Sequence, residues 1–160
     1  MPTRTTLSPG VTGSTADLAR THGTRGEDYV ATALGRLLGL ERFGVNHETI
    51  EPGGRSSTPH AHSHEEEFVY VVDGHPTLWL DGHTKPLAPG DCAAFPAGTG
   101  IAHSFLNDSD APIRLLIIGL PHPDDRVFYP LDPDRPHPRP WTDPPARPLG
   151  PHDGHAKKRG

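Results

Sequence analysis

Cysteine is almost missing. Cys92 is the single thiol among 160 residues, which excludes an internal disulfide framework and fits a reducing compartment. Long apolar runs are missing as well. No stretch approaches membrane-spanning length, and the N-terminus, MPTRTTLSPGVTGSTADLAR, lacks the apolar segment of a secretion signal. There is no basic stripe, and the formal net charge is −5; both argue against nucleic acid as a partner. These absences predict a cytoplasmic chain with no membrane partner. Apolar residues reach only 32%, low for a globular chain, so part of the length is expected to lie outside a core.

Proline (20) and glycine (18) are abundant, and their distribution divides the chain. Residues 1–27 are rich in Thr, Ser, Gly and charge without any period, and predict a flexible N-terminal segment. Residues 129–160 carry prolines every two or three positions, which forbids helix and central strand over most of their length. Leu131, Trp141 and Leu149 allow that proline-rich tail to lie across the domain as an extended strap. A tail without fixed structure is the equal alternative. One domain, residues 28–128, remains between the ends.

That middle region reads as short strands. ALGRLLG (33–39) suits a helical turn ended by glycine. After it come RFGVNHETI (42–50), EFVYVV (67–72), PTLWL (76–80), TKPLA (84–88), CAAFP (92–96), AHSFLN (102–107) and IRLLIIGL (113–120). EPGG, PGD and NDSDAP separate them, and VVDGHPTLWLDGHTKPL holds two Asp-Gly turns at hairpin spacing. Many short strands with regular turns predict an all-β sandwich or barrel. Phe68, Tyr70, Trp79, Phe95 and Phe105 are expected in the core or a pocket wall, and Cys92 as a buried thiol.

The chemistry concentrates in STPHAHSHEEEFVYVVDG, residues 57–74. In extended chain, residues two apart point the same way, so His60 and His62 can aim both imidazoles at one point. Neutral imidazole with a carboxylate suits Fe(II), Mn, Zn or Ni. His103, at the start of another strand, is the best third histidine. The plain alternative is a solvated polar rim, since His-x-His alone is a weak signal.

The spacing around these residues is more specific. Gly54, His60, His62, Glu67 and Gly74 reproduce the first cupin motif at every anchor. Gly90, Pro96, Gly98 or Gly100, His103 and Asn107 follow as the second, with two extra residues between Pro96 and His103. Over roughly residues 40–120 the chain resembles the cupin superfamily, more closely its small single-domain bacterial members. The resemblance implies a double-stranded β-helix (jelly-roll) barrel whose interior holds a divalent metal through His60, His62, Glu67 and His103. His64 breaks the motif register, which leaves it, with Glu65 and Glu66, on the rim. His47 reads as a surface histidine or a residue behind the ligands, and the tail histidines His137, His152 and His155 as solvated.

Four protein donors would leave positions open on a five- or six-coordinate ion, as catalysis requires. The resemblance therefore implies a metal-dependent enzyme on a small molecule, of dioxygenase (oxidoreductase), isomerase or lyase type, with Glu67 doubling as a base. A non-catalytic ligand-binding cupin is the alternative, and a homodimer the expected assembly.

Overall fold

The computed structural model describes residues 14–26 and 28–157. Eleven strands and two short helices are assigned among them: α1 Thr15–His22, β1 Thr24–Arg25, β2 Tyr29–Thr32, α2 Leu34–Leu37, β3 Gly44–Ile50, β4 Ala61–His62, β5 Glu66–Asp73, β6 Thr77–Leu80, β7 His83–Pro86, β8 Cys92–Phe95, β9 His103–Leu106, β10 Ile113–Leu120 and β11 Val127–Phe128. Every strand expected from residue pattern is present. β1, β2, β4 and β11 were not expected; at two to four residues they are too short for a period-2 pattern to register.

The sheets are antiparallel throughout. The large one runs β1-β2-β3-β10-β5-β8, and a smaller one β7-β6-β9, with β11-β4 as a separate pair. The alternation along each strand decides which residues meet. Ile50 of β3, Val69 and Val71 of β5, and Ile113 and Leu115 of β10 face inward, against Leu78 of β6 and Phe105 of β9. This core closes the two sheets on each other as a jelly roll, so the all-β cupin fold expected from the motifs is the fold observed. Among the described residues, no helix is long and apolar enough to cross a membrane.

The same alternation corrects two expectations. Phe68 and Tyr70 are even-numbered neighbours of the inward Glu67, Val69 and Val71, so they lie outside the core on the outer face of the large sheet (39% and 41% exposed), although Phe68 does form part of a pocket wall with Phe43 and Leu120. Cys92, opposite Tyr70 across the β5–β8 ladder, shares that face and is an exposed thiol rather than a buried one. Trp79, Phe95 and Phe105 are buried as expected.

The two Asp-Gly turns also differ. Asp81 and Gly82 both have positive φ (46° and 83°) and join β6 to β7 with two residues, the geometry of a type I′ hairpin. Asp73-Gly74 instead turns the chain from the large sheet into the small one, so it is a corner and not a hairpin.

Segments at both ends are more ordered than their composition predicted. Within residues 14–26, α1 is followed by β1, which pairs with β2 and extends the large sheet; residues 1–13 and 27 lie outside the described residues. The proline-rich tail is a strap. Trp141 and Ala156 pack with Ala61, Trp79, Ala102 and Leu106 on the outer side of the small sheet. Trp79 Nε1 donates to the His152 carbonyl (3.0 Å), Gly150 N to Asp81 O (2.7 Å) and His152 N to Gly82 O (3.0 Å). The approach is so close that a Cβ on Gly82 would fall inside the backbone of Gly150, which leaves only glycine at both positions. Of the three expected anchors only Trp141 is buried; Leu131 and Leu149 remain exposed. Of the tail histidines, His155 is exposed, while His137 and His152 are half-buried within the strap.

Candidate metal centre

Three short pieces of chain bring the expected ligands together. Residues 53–62 run antiparallel to β9: Ser56 N donates to Phe105 O (2.9 Å), and His60 and His103 exchange backbone hydrogen bonds (3.2 and 3.0 Å). That pairing faces His60 and His62 inward while Ala61 turns to the opposite cluster. His103 and Phe105 occupy the inward positions of β9, and Glu67 the first inward position of β5. The two extra residues before His103 are absorbed by a loop in which Gly98 and Gly100 take positive φ (74° and 72°). Gly98 N donates to His62 O (3.0 Å). The longer loop is thereby tied to the segment that carries His62, and His103 takes an inward position on β9.

Glu67 Oε2 is the meeting point. It lies 2.8 Å from His103 Nε2, 3.7 Å from His62 Nε2 and 3.9 Å from His60 Nε2. Donor atoms of His60, His62 and Glu67 lie mutually within 4.8 Å; His103 joins them through Glu67, with its ring centroid 5.0 Å from that of His60. Phe95 stacks flat on the His103 ring (3.6 Å, 5°) and holds its plane. No ligand atom from His64 enters this group. His64 is exposed and stacks on His122.

The outer nitrogens define the tautomers. His60 Nδ1 donates to the Thr58 carbonyl (2.9 Å), because a carbonyl can only accept. His62 Nδ1 lies 2.7 Å from Asp125 Oδ2 and donates to it. Asp125 is itself held by the backbone N–H groups of His64 (2.9 Å) and Glu65 (3.0 Å). In the neutral His60 ring Nε2 is thus a bare lone pair, and it points, as His62 Nε2 does, at a carboxylate oxygen nearly 4 Å away. Acceptor facing acceptor is repulsive unless a cation lies between them. Two ligands each about 2.1 Å from one ion are separated by about 3.0 Å when cis and 4.2 Å when trans; the 3.7 and 3.9 Å separations fall in that span, whereas the 2.8 Å between His103 Nε2 and Glu67 Oε2 is a hydrogen bond that His103 would have to give up to bind the ion. The donor set, imidazole nitrogen with one carboxylate, fits a divalent transition metal. His103 Nδ1 is buried without a hydrogen-bond partner.

Electrostatics follow this geometry. Burial alone would push the Glu67 carboxyl up, but the hydrogen bond from His103 and the three surrounding imidazoles outweigh it and hold the group well below the usual carboxylate range. Burial drives His60 down, helped by His103, so its ring is neutral at pH 7. Asp125 is also held low: burial opposes this, but the hydrogen bonds from His62 and two backbone amides prevail.

Two residues with roles near the site were not anticipated. Asp125 sits in the loop PHPDDRVF, where nothing in sequence order ties it to His62, 63 positions away. Glu48 is the other. It shares the inward face of β3 with Ile50, its Oε2 is buried without a hydrogen-bond partner, and burial followed by the charge of Glu67 raises its pKa to about 8. The only sequence signal was its even spacing from Ile50. Glu65, expected on the rim, is half-buried beside His62 and Asp125, and burial raises its carboxyl. His47, read as a surface histidine or a residue behind the ligands, is buried on the outer face of β3 and so is not at the surface.

Glu48 yields a pH prediction. Its folded pKa of about 8 exceeds the unfolded value near 4.5, so the folded chain keeps a proton that the unfolded chain has released, and stability falls as pH rises through that interval. Above pH 6.5 the opposing contribution from His60 has ended. In chelator-treated protein, urea unfolding should therefore show a loss on the order of 2 kcal/mol between pH 6.5 and 8. Glu48→Gln should remove most of that slope; an unchanged slope would place the titration elsewhere.

The family model for the cupin domain matches residues 46–119, which include every expected ligand. Among solved structures, a cupin sugar phosphate isomerase from Silicibacter pomeroyi is 38% identical over 68% of this chain and 74% of its own, with a TM-score of 0.64. A protein from Acidithiobacillus ferrooxidans, provisionally assigned as a sugar phosphate isomerase, is 40% identical over 64% of this chain and 65% of its own, with a TM-score of 0.61. The polyketide synthase CurC of Streptomyces cyaneus is 39% identical over 67 residues, and that match spans 42% of this chain and 42% of the curated relative. Fold, motif spacing and these relatives agree: the chain belongs to the cupin superfamily.

Proposed function

We propose that the chain is a metal-dependent isomerase acting on a phosphorylated sugar, with a divalent cation (Fe(II), Mn, Zn or Ni) held by His60, His62, Glu67 and His103. One observation carries this reading: the Nε2 atoms of His60 and His62 converge on a buried carboxylate at 3.9 and 3.7 Å, a donor set and spacing that suit a divalent cation. Such an ion, when bound, acts as a Lewis acid toward neighbouring carbonyl and hydroxyl oxygens. His60 and His62 hold their lone pairs in place through Thr58 and Asp125, and Phe95 fixes the His103 plane.

Aldose–ketose interconversion moves one proton between adjacent carbons and one between their oxygens, and needs no external oxidant or reductant. Its central requirement is a base beside the substrate carbon. Glu67, ionised at neutral pH, is the carboxylate placed for that role, and the His103 hydrogen bond that holds its pKa low would have to loosen for it to act as an effective base. Support for the substrate class comes from the two solved relatives at 38% and 40% identity, and from the polar lining of the cavity beside His60.

Proton NMR in D2O tests the proposal. Chain loaded in turn with each of the four metals should wash deuterium into the C1 or C2 position of an aldose or ketose phosphate, and Glu67→Gln should abolish the exchange. Metal binding and sugar-phosphate binding without exchange under any of the four metals would leave the non-catalytic binding protein as the correct reading.

A further inference from the structure

We infer that the cavity of about 500 Å³ beside His60 is a phosphate subsite, in which Arg135 and Arg55 receive the phosphomonoester of the substrate while its carbonyl end faces the metal centre. The inference rests on the isomerase reading and adds to it where the charged end of the substrate binds and which side chains select for it.

The cavity is lined by Arg55, Ser57, Thr58, His60, Tyr129 and Arg135, with Asp28 and Tyr29 closing one side. Its volume is that of a small-molecule site. Two guanidinium groups and the Asp28 carboxylate line the cavity, with Asp132 beside Arg135 at its edge, and four hydroxyl groups surround them. That set matches a polyhydroxylated anion. A phosphomonoester carries close to two negative charges at pH 7 and offers three strong acceptor oxygens, which two planar guanidinium forks can share. A carboxylate has one charge and two oxygens and would use less of the site.

Both arginines are positioned. Arg55 Nη1 donates to the Gly154 carbonyl (2.9 Å), so the far end of the strap orients it, and its other nitrogen lies 3.5 Å from Thr58 Oγ1. The Arg135 guanidinium lies over the Tyr129 ring (5.2 Å to its centroid) and near Asp132 (3.7 Å). Tyr129 is in turn 6.1 Å, centroid to centroid, from the His60 ring. Cation, phenol and imidazole thus form a continuous wall from the phosphate position to a proposed metal ligand. Thr58 links the two ends again, because its carbonyl accepts from His60 Nδ1 and its hydroxyl faces Arg55.

Calorimetry on the full chain tests the inference, with ribose 5-phosphate, ribose, inorganic phosphate and gluconate as probes. Wild type should bind ribose 5-phosphate at least tenfold more tightly than ribose or gluconate, with inorganic phosphate between them. Arg135→Gln should weaken ribose 5-phosphate about tenfold and leave ribose binding, metal content and melting temperature unchanged, since this side chain is half-exposed (45%) and holds no core contact. Arg55→Lys, which keeps the charge and removes the fork, should weaken the same probe by a smaller factor. Equal affinity for ribose and ribose 5-phosphate, equal affinity for gluconate, or an Arg135→Gln variant indistinguishable from wild type would overturn the subsite. Protein that discriminates the phosphate but fails to hold metal or to exchange deuterium would sustain the subsite and sink the isomerase reading instead.

Discussion

Replacing His60 and His62 together by alanine should reduce affinity for divalent metal by more than a hundredfold, to the level of adventitious surface binding. The expectation follows from the loss of both bare Nε2 lone pairs, which leaves Glu67 and His103 as a single hydrogen-bonded pair at 2.8 Å. A graded companion makes the result specific. Asp125→Asn keeps the size of the side chain but removes its charge, which holds the Nδ1 proton of His62 in place. An orienting carboxylate of this kind typically contributes 10- to 100-fold in metal affinity. The single variant should therefore fall between wild type and the double variant when competed against a chelator of known affinity. Wild-type metal content in the double variant would show that the ion, if any, is held elsewhere; an unchanged affinity in Asp125→Asn would remove the orienting role and leave the ligands standing.

The second large effect is expected far from the centre. Trp141→Ala should destabilise the folded chain by about 3–5 kcal/mol, the usual cost of emptying a buried aromatic site. Trp141 is 7% exposed and fills the cluster that covers Trp79 and Leu106 on the outer side of the small sheet. The strap has little other apolar contact, because Leu131 and Leu149 are exposed. Urea unfolding gives the number directly, and a shift below 1 kcal/mol would mean that backbone hydrogen bonds, and not Trp141, hold the strap. The variant also tests the link between strap and cavity. Tyr129 and Arg135 belong to the strap, and Arg55 is oriented by Gly154 within it. Loosening the strap should therefore weaken ribose 5-phosphate binding at temperatures where the barrel is still folded, while metal affinity should change little, since the proposed ligands lie on β5, β9 and residues 60–62.

Much of this molecule was legible before any coordinates. The alternation of Glu67, Val69 and Val71, and of His103 and Phe105, follows from strand geometry alone, since successive side chains leave opposite faces. The Asp81-Gly82 hairpin follows from turn chemistry, because that dipeptide accepts positive φ twice. The grouping of His60, His62, Glu67 and His103 was what the resemblance to the two cupin motifs implied, and the structure brings those four side chains together around Glu67. What could not be read is what alternation leaves undetermined: which of two faces is covered. Phe68 and Tyr70 look like core residues in any strand pattern, and they are outward because Glu67 is inward. Trp79 is buried for the opposite reason, since the small sheet is covered twice, by the core on one side and by the strap on the other.

The strap marks the division most clearly. Its prolines rule out helix and central strand from residue order alone, because a missing N–H and a locked φ are local properties. Whether such a chain lies on the domain or leaves it depends on a surface assembled by β6, β9 and residue 61, which exists only once the sheets have formed. Asp125 and Glu48 belong to the same class. A carboxylate 63 residues from the imidazole it orients, and another raised to a pKa of about 8 by burial and the charge of Glu67, owe their character to distances and solvent exclusion. Neither quantity is a property of the chain's order; both arise when distant segments share one interior.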